Sequence, residues 1–291
     1  MSNSSKTEID AFLMKNLNLE NPPVGISLLK SVPPENIERP DRQYTFCEVV
    51  ERSRKKSRVM GITKDDIDCP FALEILGLKN LSWGRVSEII TSKQFGRHTL
   101  KFMKTLPILA KSVCESIVIG PLKDIPINPD VILIYGDADK IVKLVNAWTW
   151  TRGKPINVSM QGIGGICSES LAAAYNRGEP TICALPCKGS KQLGKLEAGE
   201  IIFASRYTLI EELIEGLREI ELPPEDAESF IMRLLREKGR MTTRAITREL
   251  LMFIPRCPDY PAKLLATMRS KGKIKFELSS EDKGYVWWIE E

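Results

Sequence analysis

The sequence predicts an α/β domain over residues 1–220, with a mixed or mostly parallel sheet and flanking helices. A smaller domain of three helices and a hairpin follows over residues 225–291. Three observations predict this. Helix-like and strand-like apolar periods alternate along the first 220 residues. The two prolines of "ELPPED" (221–226) end the last of those helices and mark a linker. Beyond them the chain changes texture, to amphipathic helices and then a two-stranded ribbon.

The elements of the first domain follow in order. "EIDAFLMKNLNL" (8–19) spaces Ile9, Phe12, Leu13 and Leu17 as one helical face, and "VGISLLK" (24–30) reads as a strand. "FCEVVERSRKKS" (46–57) is helical, with Cys47, Val49 and Val50 on its apolar side. Its charge run "ERSRKKSR" (51–58) reads as a solvated face. "SRVMGI" (57–62) is a strand. A helix opens at Asp68 or Cys69, with Pro70 suited to its first turn. "CESIVIGPL" (114–122) and "PDVILIYG" (129–136) are short apolar runs bounded by Pro and Gly, as buried strands are. Asp137 caps the helix "DADKIVKLVNAWTW". "PINVSMQ", "ICSESLAAAYNRG", "TICALPC" and "TLIEELIEGLREI" then give strand, helix, strand, helix.

In the second domain, "EDAESFIMRLLREKGR", "MTTRAITRELL" and "YPAKLLATMRSKGKI" are three helices. "KIKFELSS" and "YVWWIE" form a ribbon across the turn "SSEDKG", with Trp287 and Trp288 expected to anchor it to the helices. Three helices followed by a hairpin is the winged-helix order, a helix-turn-helix variant. From Ile231 to Lys275 twelve Lys and Arg face only Glu237, Glu249 and Asp259. So dense a basic surface fits phosphate contacts. The expected nucleic-acid contacts are Lys263, Thr267 and Arg269 on the third helix, with Lys273 and Lys275 at the wing. Protein partners and a homodimer stay open for the same module.

Composition excludes some classes. The chain has 291 residues, enough for two domains with cores of ordinary size, so neither metal nor disulfide is needed merely to fold. No apolar run approaches the roughly 18 to 20 residues of a membrane-spanning helix, and "MSNSSKTEID" lacks the order of a secretory signal. A cytoplasmic protein without membrane contact is expected. Its only histidine is His98, which excludes a histidine-rich zinc site. Trp83 and Arg85 of "SWGR" read as loop residues.

The seven cysteines carry the chemistry: Cys47, Cys69, Cys114, Cys167, Cys183, Cys187 and Cys257. In a reducing compartment they point to buried thiols, metal ligation or redox chemistry, not to disulfides. Cys69 and Cys167 each stand where a loop becomes a helix, a setting that favours the thiolate. Cys187 lies just past the apolar strand "TICAL", where sheets deliver functional groups. Cys183 is assigned to the core. Thiolates from separate loops bind iron–sulfur clusters or zinc. In "QGIGGIC" the amides of Gly164 and Gly165, with Lys188 and Lys191 of "CKGSK", are candidates to hold an anion.

"PPVGISLLKSVPPENIERPDRQYTFCEVVERSRKKSRVMGITKDDIDCPFALEILGL" and "GGICSESLAAAYNRGEPTICALPCKGSKQL" resemble domain-of-unknown-function family 169, over roughly residues 8–220. The resemblance implies that Cys47, Cys69, Cys167 and Cys187 are the recurring cysteines. It implies no activity. Lys191 stands where the family pattern has arginine, and the C-terminal module lies outside that pattern.

The expectation is therefore a metal or iron–sulfur centre on Cys47, Cys69, Cys167 and Cys187, coupled to a winged helix. Two alternatives stay open. One is a cysteine-dependent enzyme with Cys167 as nucleophile and Lys188 nearby. The other is a small-molecule-binding module whose cysteines are structural.

Overall fold

The computed structural model describes residues 4–80, 98–158, 160–220, 224–253 and 260–290. Trp83, Arg85, Cys257 and Asp259 lie outside the described residues. Two compact units divide the chain, Met1–Leu217 and Arg218–Glu291.

In the first unit α1 (Lys6–Asn16) and α2 (Phe46–Lys56) both begin with a capping box, Ser5 with Glu8 and Thr45 with Glu48. Each pair satisfies amides that a helix start leaves open. Six strands form one sheet: β1 (Val24–Leu29), β2 (Met60–Thr63), β3 (Ser116–Pro121), β4 (Val131–Gly136), β5 (Thr181–Cys183) and β6 (Ile201–Arg206). Their spatial order is β2-β3-β1-β4-β6-β5. Every neighbouring pair is antiparallel.

This corrects the expected mixed or mostly parallel sheet, and the reason is specific. β1 and β2, linked through α2, do run the same way, because both oppose β3. β3 is inserted between them. β4 and β5 likewise run the same way, with β6 inserted between. Alternating helix and strand reports the direction of a crossover, not the neighbour of a strand. β6, "IIFASR", was not singled out in the sequence. The strand expected at 155–161 is reduced to one parallel bridge between Val158 and Ile182.

β3 and β4 are buried at every position, so the sheet is covered on both faces. One cluster gathers Val24, Ile26, Met60, Ile62, Ile117, Ile119, Val131 and Leu133 with Phe46, Val49 and Val50 of α2. Around the sheet stand α3 (Pro70–Ile75), α4 (Thr99–Met103), α5 (Ala138–Arg152), α6 (Ala173–Arg177), α7 (Lys188–Gln192) and α8 (Ile210–Ile220). A π-helical segment, Gly165–Ala172, runs into α6 and touches α2, α3 and strands β4, β5 and β6.

The second unit holds α9 (Pro224–Lys238), β7 (Met241–Thr242), α10 (Thr243–Phe253) and α11 (Tyr260–Ser270), then β8 (Lys275–Ser279) and β9 (Gly284–Trp288). Its three strands form an antiparallel sheet in the order β7-β9-β8. Ile231, Leu235, Ile246, Leu250, Leu265, Met268 and Trp287 build its core. Trp287 fastens the hairpin through Nε1–H donated to Thr243 Oγ1 at 2.7 Å. Trp288 lies under the Arg240 guanidinium, 4.2 Å from its ring centre.

Candidate functional site

Four of the cysteines stand in the first turns of four helical segments. Cys47 is the second residue of α2, behind the Thr45 cap. Cys69 is the residue before α3, where Pro70 at the first position fixes the entry and leaves no amide wanting a partner. Cys187 caps α7, its sulfur accepting from Ser190 N at 3.4 Å. Cys167 is the third residue of the π segment and is only 4% exposed.

These positions converge. The buried hydroxyl of Ser190 lies 3.2 Å from Cys187 Sγ and 3.9 Å from Cys47 Sγ, so one oxygen links two of the thiols. Cys47 is influenced by the charges of Cys187 and Cys69, and Cys167 by those of Cys47, Cys69 and Cys187. The π segment packs against both α2 and α3, which is how its cysteine reaches the other two helix starts.

The glycine pair ahead of Cys167 makes this packing fit. Gly164 is left-handed at φ 67, and its carbonyl accepts from Ser168 N at 2.7 Å and Glu169 N at 2.9 Å. A Cβ there would stand 2.8 Å from Phe71 Cε1. A Cβ on Gly165 would stand 3.1 Å from both Cys183 Sγ and Ser190 Oγ. Both glycines therefore permit close packing against protein. Lys188 and Lys191, expected beside a bound anion, are exposed.

Behind the thiols lies a run of three buried polar residues, Ser168, Glu169 and Ser170, none of them measurably exposed. Ser168 Oγ donates to Pro107 O at 2.8 Å, and Ser170 Oγ to Gly165 O at 2.7 Å. The Glu169 carboxylate accepts from Gln161 N and, at 3.0 Å, from the Cys183 thiol. Cys183 is fully buried on β5, as its apolar strand context implies.

Burial decides the electrostatics. It pushes the thiols of Cys47, Cys69 and Cys167 up, and like charge between them adds to the rise. At Cys69 the N–H groups of Ala72 and Phe71 oppose it without prevailing. This corrects the expectation that a helix start would favour the thiolate at Cys69 and Cys167: desolvation outweighs the dipole. Cys167, the candidate nucleophile, has its thiol pushed up by burial and by the neighbouring cysteines. Among the described residues, no group of three or more His, Cys, Asp or Glu side chains is placed to hold a metal ion.

Sequence reading missed Ser190 and Glu169. The spacing Cys187-x-x-Ser190 is a cap-box spacing and could have flagged the serine. It also missed Arg54, since the charge run 51–58 is not wholly solvated: Glu51, Ser53 and Arg54 are buried. His98 is exposed. No helix among the described residues is long and apolar enough to cross a membrane.

In the second unit Lys263 and Thr267 are exposed on α11, the threonine hydroxyl donating to Lys263 O. Arg269 lies over the Phe276 ring at 4.0 Å. Lys271 and Lys273 both pair with Glu228, Lys275 with Glu290, Lys238 with Glu249 and Arg240 with Glu277. Four of the twelve basic residues, Arg240, Lys271, Lys273 and Lys275, thus pair with acidic residues lying outside the stretch from Ile231 to Lys275.

The first unit is an antiparallel α/β domain with one buried and three partly buried thiols at helix starts. The chain belongs to the family DUF169, described as "Uncharacterised ArCR", which matches residues 12–216. It is 23% identical over 212 residues to "Uncharacterized protein MJ0308" of Methanocaldococcus jannaschii, a match covering 70% of this chain and 90% of the relative. No solved structure matches the chain.

Proposed function

We propose that the α/β unit holds an iron–sulfur cluster, or zinc, through Cys47, Cys69, Cys167 and Cys187, and that the second unit is a winged helix coupling that centre to nucleic acid or a partner protein. The observation that carries this is the convergence of four thiols from four separate helix starts, two of them sharing the Ser190 hydroxyl. Cysteine sulfurs from separate segments are the donor set of an iron–sulfur cluster or a structural zinc.

All four donors are soft sulfurs, which suit an iron–sulfur cluster or zinc alike. When bound, such a cluster supplies one-electron redox chemistry. The chain's own part is to orient the thiols from helix starts and exclude water through Phe71 and Ile166, both buried here. The winged-helix assignment is supported by the order helix, strand, helix, helix, hairpin with a three-stranded sheet.

The test is iron and sulfide analysis with a visible spectrum on protein purified without oxygen. Iron and sulfide in near-equal amounts, lost in Cys167→Ala and Cys187→Ala, are expected. A zinc-loaded colourless protein with the same dependence would select the second metal. Folded protein free of any metal would overturn the proposal.

A further inference from the structure

At the other end of α2 from Cys47 lies a cavity of about 150 Å³, lined by Glu20, Arg54, Tyr135, Lys140, Glu197 and Glu200 among others. That volume equals roughly five waters of liquid. Arg54 forms its inner wall. Its side chain is 3% exposed, its guanidinium lies 4.1 Å from the Tyr135 ring centre, and its Nη2 pairs with Glu200 Oε1. Glu200 is held in turn, its Oε2 accepting from Glu197 N at 3.0 Å.

That pair leaves polar atoms over. Arg54 Nε and Nη1 and Tyr135 Oη are all buried and have no hydrogen-bond partner among the described residues. Burial pushes the Tyr135 hydroxyl up, so it stays protonated and can donate. Three buried donors on two adjacent side chains lack an acceptor, in a fold whose other buried polar groups are nearly all satisfied. The neighbouring charges narrow the choice. Lys140 is already paired with Asp137 and Glu197 with Lys55, which leaves Glu20 on the wall to disfavour a dianion and accommodate an ammonium group.

We infer that this cavity binds a small monocarboxylate, its oxygens accepting from Arg54 and Tyr135, with Glu20 on the wall favouring a ligand that also carries an ammonium group. The site is separate from the thiol cluster, and the inference holds whether or not those thiols carry a metal.

Calorimetric titration of the full chain with acetate, glycine, inorganic phosphate and sulfate tests it. Acetate and glycine are expected to bind, glycine more tightly, and phosphate more weakly than acetate. Tyr135→Phe removes one unpartnered hydroxyl and nothing else. It should leave the melting temperature of the ligand-free protein unchanged or raised, while weakening acetate at least about tenfold, as for one hydrogen bond to a charged group. Arg54→Lys keeps the charge and should abolish binding, and where it fails to fold Tyr135→Phe still decides. No binding by either carboxylate, tighter binding of phosphate than acetate, or an unchanged affinity in Tyr135→Phe would overturn the inference.

Discussion

Glu169 offers the sharpest test of how the thiol cluster is held. Its carboxylate is fully buried in the π segment, accepting from Gln161 N on one oxygen and from the Cys183 thiol on the other. Burial raises its pKa, and the Cys183 thiol and the amides of Gln161 and Gly162 pull against that rise. Glu169→Ala strips the acceptor from two amides and a thiol and opens a space behind Cys167. A buried donor left without a partner costs about 1–3 kcal/mol. Gln161 and Gly162 are only half-buried, so water can rescue part of that loss. Alanine's helix propensity returns a few tenths of a kcal/mol. The expected net loss is about 2–4 kcal/mol, a large share of a stability of roughly 5–15 kcal/mol. Glu169→Gln keeps the volume and one carbonyl oxygen, and should cost only about 1 kcal/mol. Urea unfolding followed by circular dichroism under reducing conditions measures both. A loss below about 1 kcal/mol in the alanine variant, or equal losses in the two, would refute the idea that these bonds pin the loop ahead of Cys167.

Three other outcomes follow from single contacts. Gly216→Ala in α8 should gain about 1 kcal/mol by propensity. Its Cβ, however, would stand 2.4 Å from Ala147 O, so the variant should lose about 1–3 kcal/mol net, seen as a lower melting temperature. Cys114 is buried with its thiol facing Leu76 O at 3.7 Å, and burial pushes it from 9.0 to about 11. The folded value lies above the unfolded one, so its contribution is complete below pH 9 and is lost as pH rises towards 11. That loss is on the order of 2–3 kcal/mol, and Cys114→Ala should flatten the alkaline stability profile accordingly. If the second unit binds DNA, affinity should fall at least tenfold between 50 and 200 mM salt on the order expected for a few phosphate contacts. Lys263→Ala should then reduce the salt slope by about one, and a flat salt response by electrophoretic shift would leave a protein partner as the ligand of that unit.

Most helices and strands are legible because their apolar periods are strong. The helix at Cys69 is marked by Pro70, and the one at Asp137 by its cap, and both form there. Strand neighbours are not legible, because β3 and β6 enter between strands that the crossovers connect, and no local pattern encodes an insertion. The cysteine positions were readable from glycine, proline and strand ends. Their ionisation was not, because a helix start and a dry interior act in opposite directions on one thiol, and only burial says which is larger. Arg54 was misread for a related reason. A basic run looks solvated in sequence, yet its register on α2 turns Arg54 inward onto Tyr135 while Arg52 lies over Tyr44.

The π segment explains why three consecutive polar residues can be buried behind Cys167. Its wider turn lets Ser170 Oγ reach the carbonyl of Gly165, five residues back, while Ser168 bonds outward to Pro107 and Glu169 to the preceding loop. An ordinary helix would place such a run around its circumference, with at least one member wanting a partner. A π turn is rare and is frequently found at functional positions. Two of the other thiol-bearing helices, α3 and α7, have six and five residues and are too short to stand without tertiary contacts. The four thiols are thus carried largely by elements whose order depends on what they enclose. A ligand bound to all four stabilises the unit that contains them. Loading with metal should therefore raise the unfolding transition of the α/β unit, and Cys167→Ala should abolish that rise.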